Sequence, residues 1–188
     1  MSDVPAPNVF RGPQAQGFIR NWLLLLPLPL NAGETSAQAL DRQQLPDEAN
    51  LRPRLGERVP IGGGELVWQP HRSVDAVLDF NAVLGRATEL SIVYAVCYID
   101  SEQPRDRLWL QVGSDDQVKM YLNGRAIYEC PVPRPLETLD TIGPVSLKPG
   151  TNVLLLKVVN ESANWEASAR LMDDAGRPAE GIHLKLTP

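Results

Sequence analysis

Aromatic residues are scarce in this chain. Its 188 residues include 3 Phe, 4 Trp and 4 Tyr, 6% of the total. Cysteine and histidine are scarcer, with 2 of each. Cys97 and Cys130 are too few for the disulfide framework of a small secreted domain. They also stand too far from His71 and His183 to suggest a zinc site. They read as two half-buried free thiols, with a disulfide between neighbouring strands as the alternative. No apolar run approaches the roughly 20 residues of a membrane helix, and Phe18–Leu30 (FIRNWLLLLPLPL) is broken by Pro27 and Pro29. Positive charge is short: 18 Lys and Arg against 23 Asp and Glu give a net charge of -5. That balance excludes nucleic acid, whose phosphates recruit Lys and Arg. The N-terminus (MSDVPAPN) has neither a basic nor an apolar stretch and does not read as a signal peptide.

Catalytic motifs are missing too. There is no nucleophile elbow G-x-S-x-G, no P-loop and no G-x-G-x-x-G. No motif sets two carboxylates about 5–10 Å apart, as glycoside hydrolysis requires. The expectation is a protein that is not an enzyme.

What the chain does have is turn residues, 14 Gly and 17 Pro, spaced so that they punctuate strands. Glu65–Gln69, Glu89–Ile99, Arg107–Val112, Val118–Leu122, Arg125–Cys130, Val145–Leu147, Asn152–Val159, Glu166–Met172 and His183–Leu186 read as strands between turn signals. Glu89–Ile99 (ELSIVYAVCYI) is nearly continuously apolar and suits a strand buried on both faces. Helix signals are few. Thr35–Leu45 is the best, with Thr35 or Ser36 as cap and Pro46 as stop, and a short turn of helix fits Asn81–Leu84. Gly62–Gly64 marks a mobile joint in a polar surface stretch. Residues 1–188 therefore read as a single all-β domain, a jelly-roll-like antiparallel β-sandwich with little helix. Residues 1–17 form an N-terminal arm, and residues 31–64 form one long surface excursion.

The densest region, Arg107 to Cys130, reads as a three-stranded meander. A turn at Gly113–Asp116 pairs Val112 with Val118, so Trp109 falls opposite Tyr121 and Gln111 opposite Lys119. Asn123-Gly124, both needing positive φ, pairs Leu122 with Arg125 and sets Lys119 opposite Tyr128. One face is then core. The other carries Trp109, Gln111, Lys119, Tyr121 and Tyr128, either as a platform for a sugar ring or as cross-strand pairs that stabilise the sheet. Asp115 and Asp116 are either ligands for a hard cation such as calcium or turn formers. Trp165, after the polar loop at Asn164, either caps the core or walls a pocket. Arg134, between two prolines, is either a ligand contact or a solvated charge.

The stretch GSDDQVKMYLNGRAIYE resembles the "GSDDGVKVWLNGKLV" signature of accessory β-sandwich modules in bacterial, especially planctomycete, multidomain proteins. Those modules resemble galactose-binding-like jelly rolls. Phe18–Leu30 is similar to their opening segment, YAVCYIDS to the strand before the signature, GTNVLLLKVVN to "G-x-N-x-L-L-V-K-V", and NWEASARL to "W-G-F-x-x-R-L". The chain departs from the pattern at Leu26, Leu28, Gln117, Glu166 and Ala167. Asp115-Asp116 also resembles the adjacent-aspartate calcium site of sugar-binding adhesins with a PA14-like sandwich. The resemblance implies a carbohydrate-binding or accessory module, mildly favours a place outside the cytoplasm, and makes a sugar or a neighbouring protein domain the partner. Trp109, Tyr121 and Trp165 would stack on the sugar, with Asp115, Asp116 and Asn164 selecting it. The alternative is a structural or assembly module without a sugar ligand.

Overall fold

The computed structural model describes residues 17–188. The expected arm, save Gly17, lies outside the described residues. In chain order the elements are β1 (Asn21–Pro29), α1 (Ser36–Asp41), β2 (Arg58–Ile61), β3 (Gly64–Val67), β4 (Gln69–Arg72), β5 (Leu78–Asp79), α2 (Phe80–Leu84), β6 (Ser91–Ser101), β7 (Arg105–Asp115), β8 (Gln117–Leu122), β9 (Arg125–Cys130), β10 (Asp140–Leu147), β11 (Gly150–Asn160), β12 (Glu166–Met172) and β13 (Ile182–Lys185). Seven strands form one antiparallel sheet in the order β4-β1-β6-β11-β8-β9, with β13 also pairing β6. Four form a second sheet in the order β10-β7-β12-β5, and β2-β3 is a separate hairpin. The all-β sandwich expected from the turn spacing is the architecture observed.

The two sheets close on one core. Leu108, Leu110 and Val112 of β7 and Ala167, Ala169 and Leu171 of β12 face Val118, Met120 and Leu122 of β8 and Leu154, Leu156 and Val158 of β11. Phe80 and Trp165 pack at its end with their rings tilted by 54° and their centroids 5.2 Å apart. β6 is buried from Ser91 to Ile99. One side of it enters this core, and the other enters a second apolar layer with Leu23, Leu25, Leu40, Leu45, Trp68 and Tyr121.

That second layer sharpens the reading of the excursion. Residues 31–64 lie at the surface, as expected, and most of them are exposed, but Ser36, Ala39, Leu40, Leu45, Glu48 and Pro53 are buried. α1 and the β2-β3 hairpin lie over the outer face of the seven-stranded sheet and bury it. α1 begins at a capping box in which the Thr35 side chain and Gln38 satisfy each other's backbone N–H. It ends at Asp41, four residues before the expected limit. Gly62 and Gly63, at φ 52° and 84°, make the turn of the β2-β3 hairpin rather than a joint. Pro27 sits inside β1, where a register shift between Leu25 and Leu28 accommodates it.

The meander is the larger correction. Leu122 does pair with Arg125 across Asn123-Gly124, both at positive φ. β7 and β8, however, do not pair. β7 runs on to Asp115 between β10 and β12, and β8 starts at Gln117 between β11 and β9. The chain changes sheets at Asp115-Asp116, whose peptide bond is cis. Both strands alternate apolar and polar residues because both feed the same core, but they do so from opposite sides.

Candidate functional site

The crossing disperses the expected sheet face. Tyr121 lies under the excursion, 8% exposed, and its hydroxyl donates to Glu48 Oε1 at 2.9 Å. Lys119 lies opposite Glu129 rather than Tyr128 and pairs with Glu129 at 2.9 Å and Asp41 at 3.4 Å. A register shift between Met120 and Tyr121 sets Tyr128 opposite Met120, which turns it toward the core. There its hydroxyl donates to Asp140 Oδ2 at 2.6 Å. Asp140 also receives Arg134, and although burial opposes it, these two contacts hold the carboxyl below its ordinary pKa. Tyr128, Arg134 and Asp140 thus tie β9, the edge of one sheet, to β10, the edge of the other. Trp165 is fully buried and offers no ring to a ligand. Asn164 is exposed in the loop before it.

Asp115 and Asp116 act on loops. Asp116 Oδ2 accepts the Glu161 N–H at 2.8 Å, and its carboxylate also takes backbone N–H bonds from Ser162 and Arg134. Asp115, 8% exposed, takes one from Leu136. The pair therefore clamps two loops to the crossing. Calcium needs about six to eight oxygens. Among the described residues, no group of three or more His, Cys, Asp or Glu converges to hold a metal. Both carboxylates accept backbone N–H bonds from these loops.

Trp109 sits elsewhere, on the outer face of the four-stranded sheet. Leu108, Leu110 and Val112 face the core, so Trp109 and Gln111 point away from it, as do Thr141 on β10 and Arg170 and Met172 on β12, their register partners. Three of these side chains form one hydrogen-bonded row across three strands. Gln111 Nε2 donates to Thr141 Oγ1 at 3.0 Å, and Arg170 Nε donates to Gln111 Oε1 at 2.6 Å. The Arg170 guanidinium lies 5.1 Å from the centre of the Phe18 ring. Trp109 is held on two sides. Its Nε1 donates to Asp174 Oδ1 at 3.0 Å, and Arg107 binds the other oxygen of that carboxylate at 2.6 Å. These two donors lower the Asp174 pKa. The Gly143 backbone lies so close to the indole that a Cβ there would stand 2.9 Å from Cε3.

The two sheets thus differ in their outer faces. The seven-stranded sheet is covered by the excursion. Among the described residues, the four-stranded sheet is covered toward Gly113 and Ser168 by Leu136, Leu139, Phe18 and Ala76. The rest presents half-buried Trp109, Gln111 and Arg170 and exposed Thr141. Only Trp109 of this group was among the expected site residues, with Gln111 on the expected face. Arg170 and Thr141 were missed. The alternation of NWEASARL does set Arg170 opposite Ala169 and Leu171, but nothing local in the sequence puts β12 and β10 beside β7. A separate open cleft of about 580 Å³ lies between the free edges β9 and β10, lined by Leu122, Arg125, Ile127, Ile142, Pro144 and Val145 among others.

No family model matches the chain, and no curated protein sequence matches it. Among solved structures, a family 35 carbohydrate binding module from an environmental isolate is similar, with a TM-score of 0.35 and 17% sequence identity. The match covers 50% of this chain and 72% of that module.

Proposed function

We propose that the chain is a non-catalytic carbohydrate-binding module whose ligand lies on the outer face of the four-stranded sheet. One observation carries this reading: the outer face of this sheet holds an indole locked in place beside a row of side chains with hydrogen-bonding capacity. A sugar ring presents C–H groups to an aromatic surface and hydroxyls to polar neighbours. Trp109 supplies the first surface, while Thr141, Gln111 and Arg170 supply the second. Because Asp174, Arg107 and Gly143 already fix the indole, little side-chain freedom is lost on binding. Stacking and hydroxyl contacts of this kind need no metal, so binding is expected to survive a chelator. The expected ligand positions Lys119, Tyr121, Tyr128 and Trp165 take no part in this reading.

The test is a glycan array probed with the full chain and with Trp109→Ala, each with calcium and with EDTA. Binding by the parent chain that Trp109→Ala abolishes supports the reading. Binding by neither, or equal binding by both, overturns it.

A second reading rests on the cleft between β9 and β10. Two strand edges that no described strand pairs flank a floor of mixed apolar and polar residues there, an arrangement that suits protein docking. Light scattering during size-exclusion chromatography separates the two readings. A stable oligomer that Ile142→Glu dissociates favours assembly.

A further inference from the structure

We propose that the recess between the loop at residues 45–53 and the β2-β3 hairpin binds a free α-amino acid with an apolar side chain, held as a zwitterion by Arg52 and Glu57. The recess belongs to the apolar layer over the outer face of the seven-stranded sheet. The inference therefore does not rest on the carbohydrate-binding reading above.

The recess measures about 280 Å³ and is walled by Leu45, Leu51, Pro53, Val59, Pro60 and Trp68. At roughly 30 Å³ per water it has room for about nine waters, close to the bulk of one leucine or phenylalanine. Its walls are set before any ligand arrives. The Tyr98 hydroxyl donates to the Pro53 carbonyl at 2.7 Å. On the other side, the Gly56 N–H donates to the Trp68 carbonyl and the Trp68 N–H to the Glu57 carbonyl, each at 2.9 Å. The rings of Pro53 and Pro60 fix their own φ. Little freedom of the walls is lost on binding.

Two opposite charges stand unpaired at the mouth. Arg52 and Glu57 both line the recess and are exposed. Both act electrostatically on the Tyr98 hydroxyl, yet among the described residues neither forms an ion pair. Arg58, also at the rim, is already paired with Glu65 at 2.5 Å. Glu57 Oε2 accepts the Arg54 N–H at 2.8 Å, which fixes the carboxylate and leaves Oε1 unused by that bond. A carboxylic acid of the same shape would meet Arg52 but bring its charge against Glu57, and an amine would do the reverse. A zwitterion gives each side chain a partner and sets an apolar group against Trp68. The mouth thus selects against both half-charged analogues as well as attracting the whole.

The experiment is an amide NMR titration of the whole chain with leucine and phenylalanine, beside phenylpropionate, phenethylamine and glycine. At least one of the two apolar amino acids is expected to shift the Trp68 indole signal and amides of residues 45–60. It is expected to bind about tenfold more tightly than the acid, the amine or glycine, the scale of one charge-assisted contact. Arg52→Gln and Glu57→Gln are each expected to remove about that factor. Both side chains are exposed, and the parent-chain comparison needs no variant. No shift with either amino acid, equal affinity for the half-charged analogues, or shifts away from the recess overturns the proposal. None of these outcomes touches the glycan array, so the carbohydrate reading stands or falls on its own test.

Discussion

Lys157 and Glu48 meet at 3.1 Å as a buried pair, the one 0% and the other 4% exposed. They join β11 to the short helical turn at residues 48–50 in the excursion. Lys157 Nζ also donates to the Arg42 carbonyl at 2.6 Å, and the Tyr94 and Tyr121 hydroxyls both donate to Glu48. Burial pulls the Lys157 pKa down, and the Glu48 charge opposes that pull. Removing one partner strands the other charge in an apolar layer. Lys157→Met is expected to cost about 3–5 kcal/mol in urea unfolding. Adding Glu48→Gln to it is expected to return much of that loss, because no uncompensated charge then remains. Hydrogen exchange in residues 36–68 should rise in the single variant, since the pair holds that layer down. A single variant as stable as the parent would show that the pair is not what fastens the excursion.

Gly113 is the point where a loop must come against the sheet. A Cβ there would lie 2.7 Å from the Thr138 carbonyl and 2.3 Å from Leu136 Cδ1. The leucine tip has room to rotate, but the carbonyl belongs to backbone. Gly113→Ala is expected to cost roughly 1–3 kcal/mol through overpacking. Adding Leu136→Ala should not restore stability, because the contact with Thr138 remains. Chemical denaturation of the three variants checks this, and full recovery in the double variant would sink the argument.

These two sites show what the sequence reveals and what it does not. Strand β6 was legible because burial on both faces leaves a continuous apolar run. The Leu122–Arg125 turn was legible because two consecutive positive φ angles favour Asn-Gly. The start of α1 was legible to within one residue, Thr35 or Ser36, because Ser and Thr favour the cap position. All three are local. The crossing at Asp115-Asp116 was not, because alternation in β7 and β8 is the same whether they pair with each other or face each other across a core. The error carried into the site. Trp109 and Tyr121, expected on one face, lie on opposite outer faces of the sandwich. Arg170 reaches Trp109's neighbourhood only through the pairing of β7 with β12, a contact between segments about sixty residues apart. The burial of Glu48 and Lys157 was illegible for a like reason, as nothing near either residue announces its partner.

The two cysteines are expected to differ in reactivity. Both are free, Cys97 in the core and Cys130 at the half-buried end of β9. Burial pushes the Cys97 thiol well above its ordinary pKa, and thiolate is the reactive form. A thiol reagent should label one site in the native chain, Cys130, and two in denaturant. Cys97 should react only as fast as the molecule unfolds globally, because β6 is the central strand of the buried layers. Rapid labelling of Cys97 under native conditions would contradict its place in the core, and the absence of any free thiol would restore the disulfide alternative.

The Asp115 carboxyl gives stability a pH dependence of unusual sign. Burial raises its pKa from 3.8 to about 7, with the charges of Asp116 and Glu166 adding to the rise and the Leu136 N–H opposing it. Glu166 is its direct partner across β7 and β12, so two carboxylates lie side by side. A folded-state pKa above the unfolded value means that the native state holds a proton the unfolded chain has released. The contribution of this group is fully present below about pH 4 and is lost as pH rises through about 7. Asp115→Asn keeps an acceptor for the Leu136 N–H and removes the charge. It is therefore expected to be no more stable than the parent at pH 4 and more stable at pH 8. Thermal melts of both chains across that range give the difference directly, and background titrations common to both cancel. A difference that stays constant from pH 4 to pH 8 would mean that Asp115 titrates as an ordinary surface carboxylate, and that the loop at Leu136 does not close over it in solution.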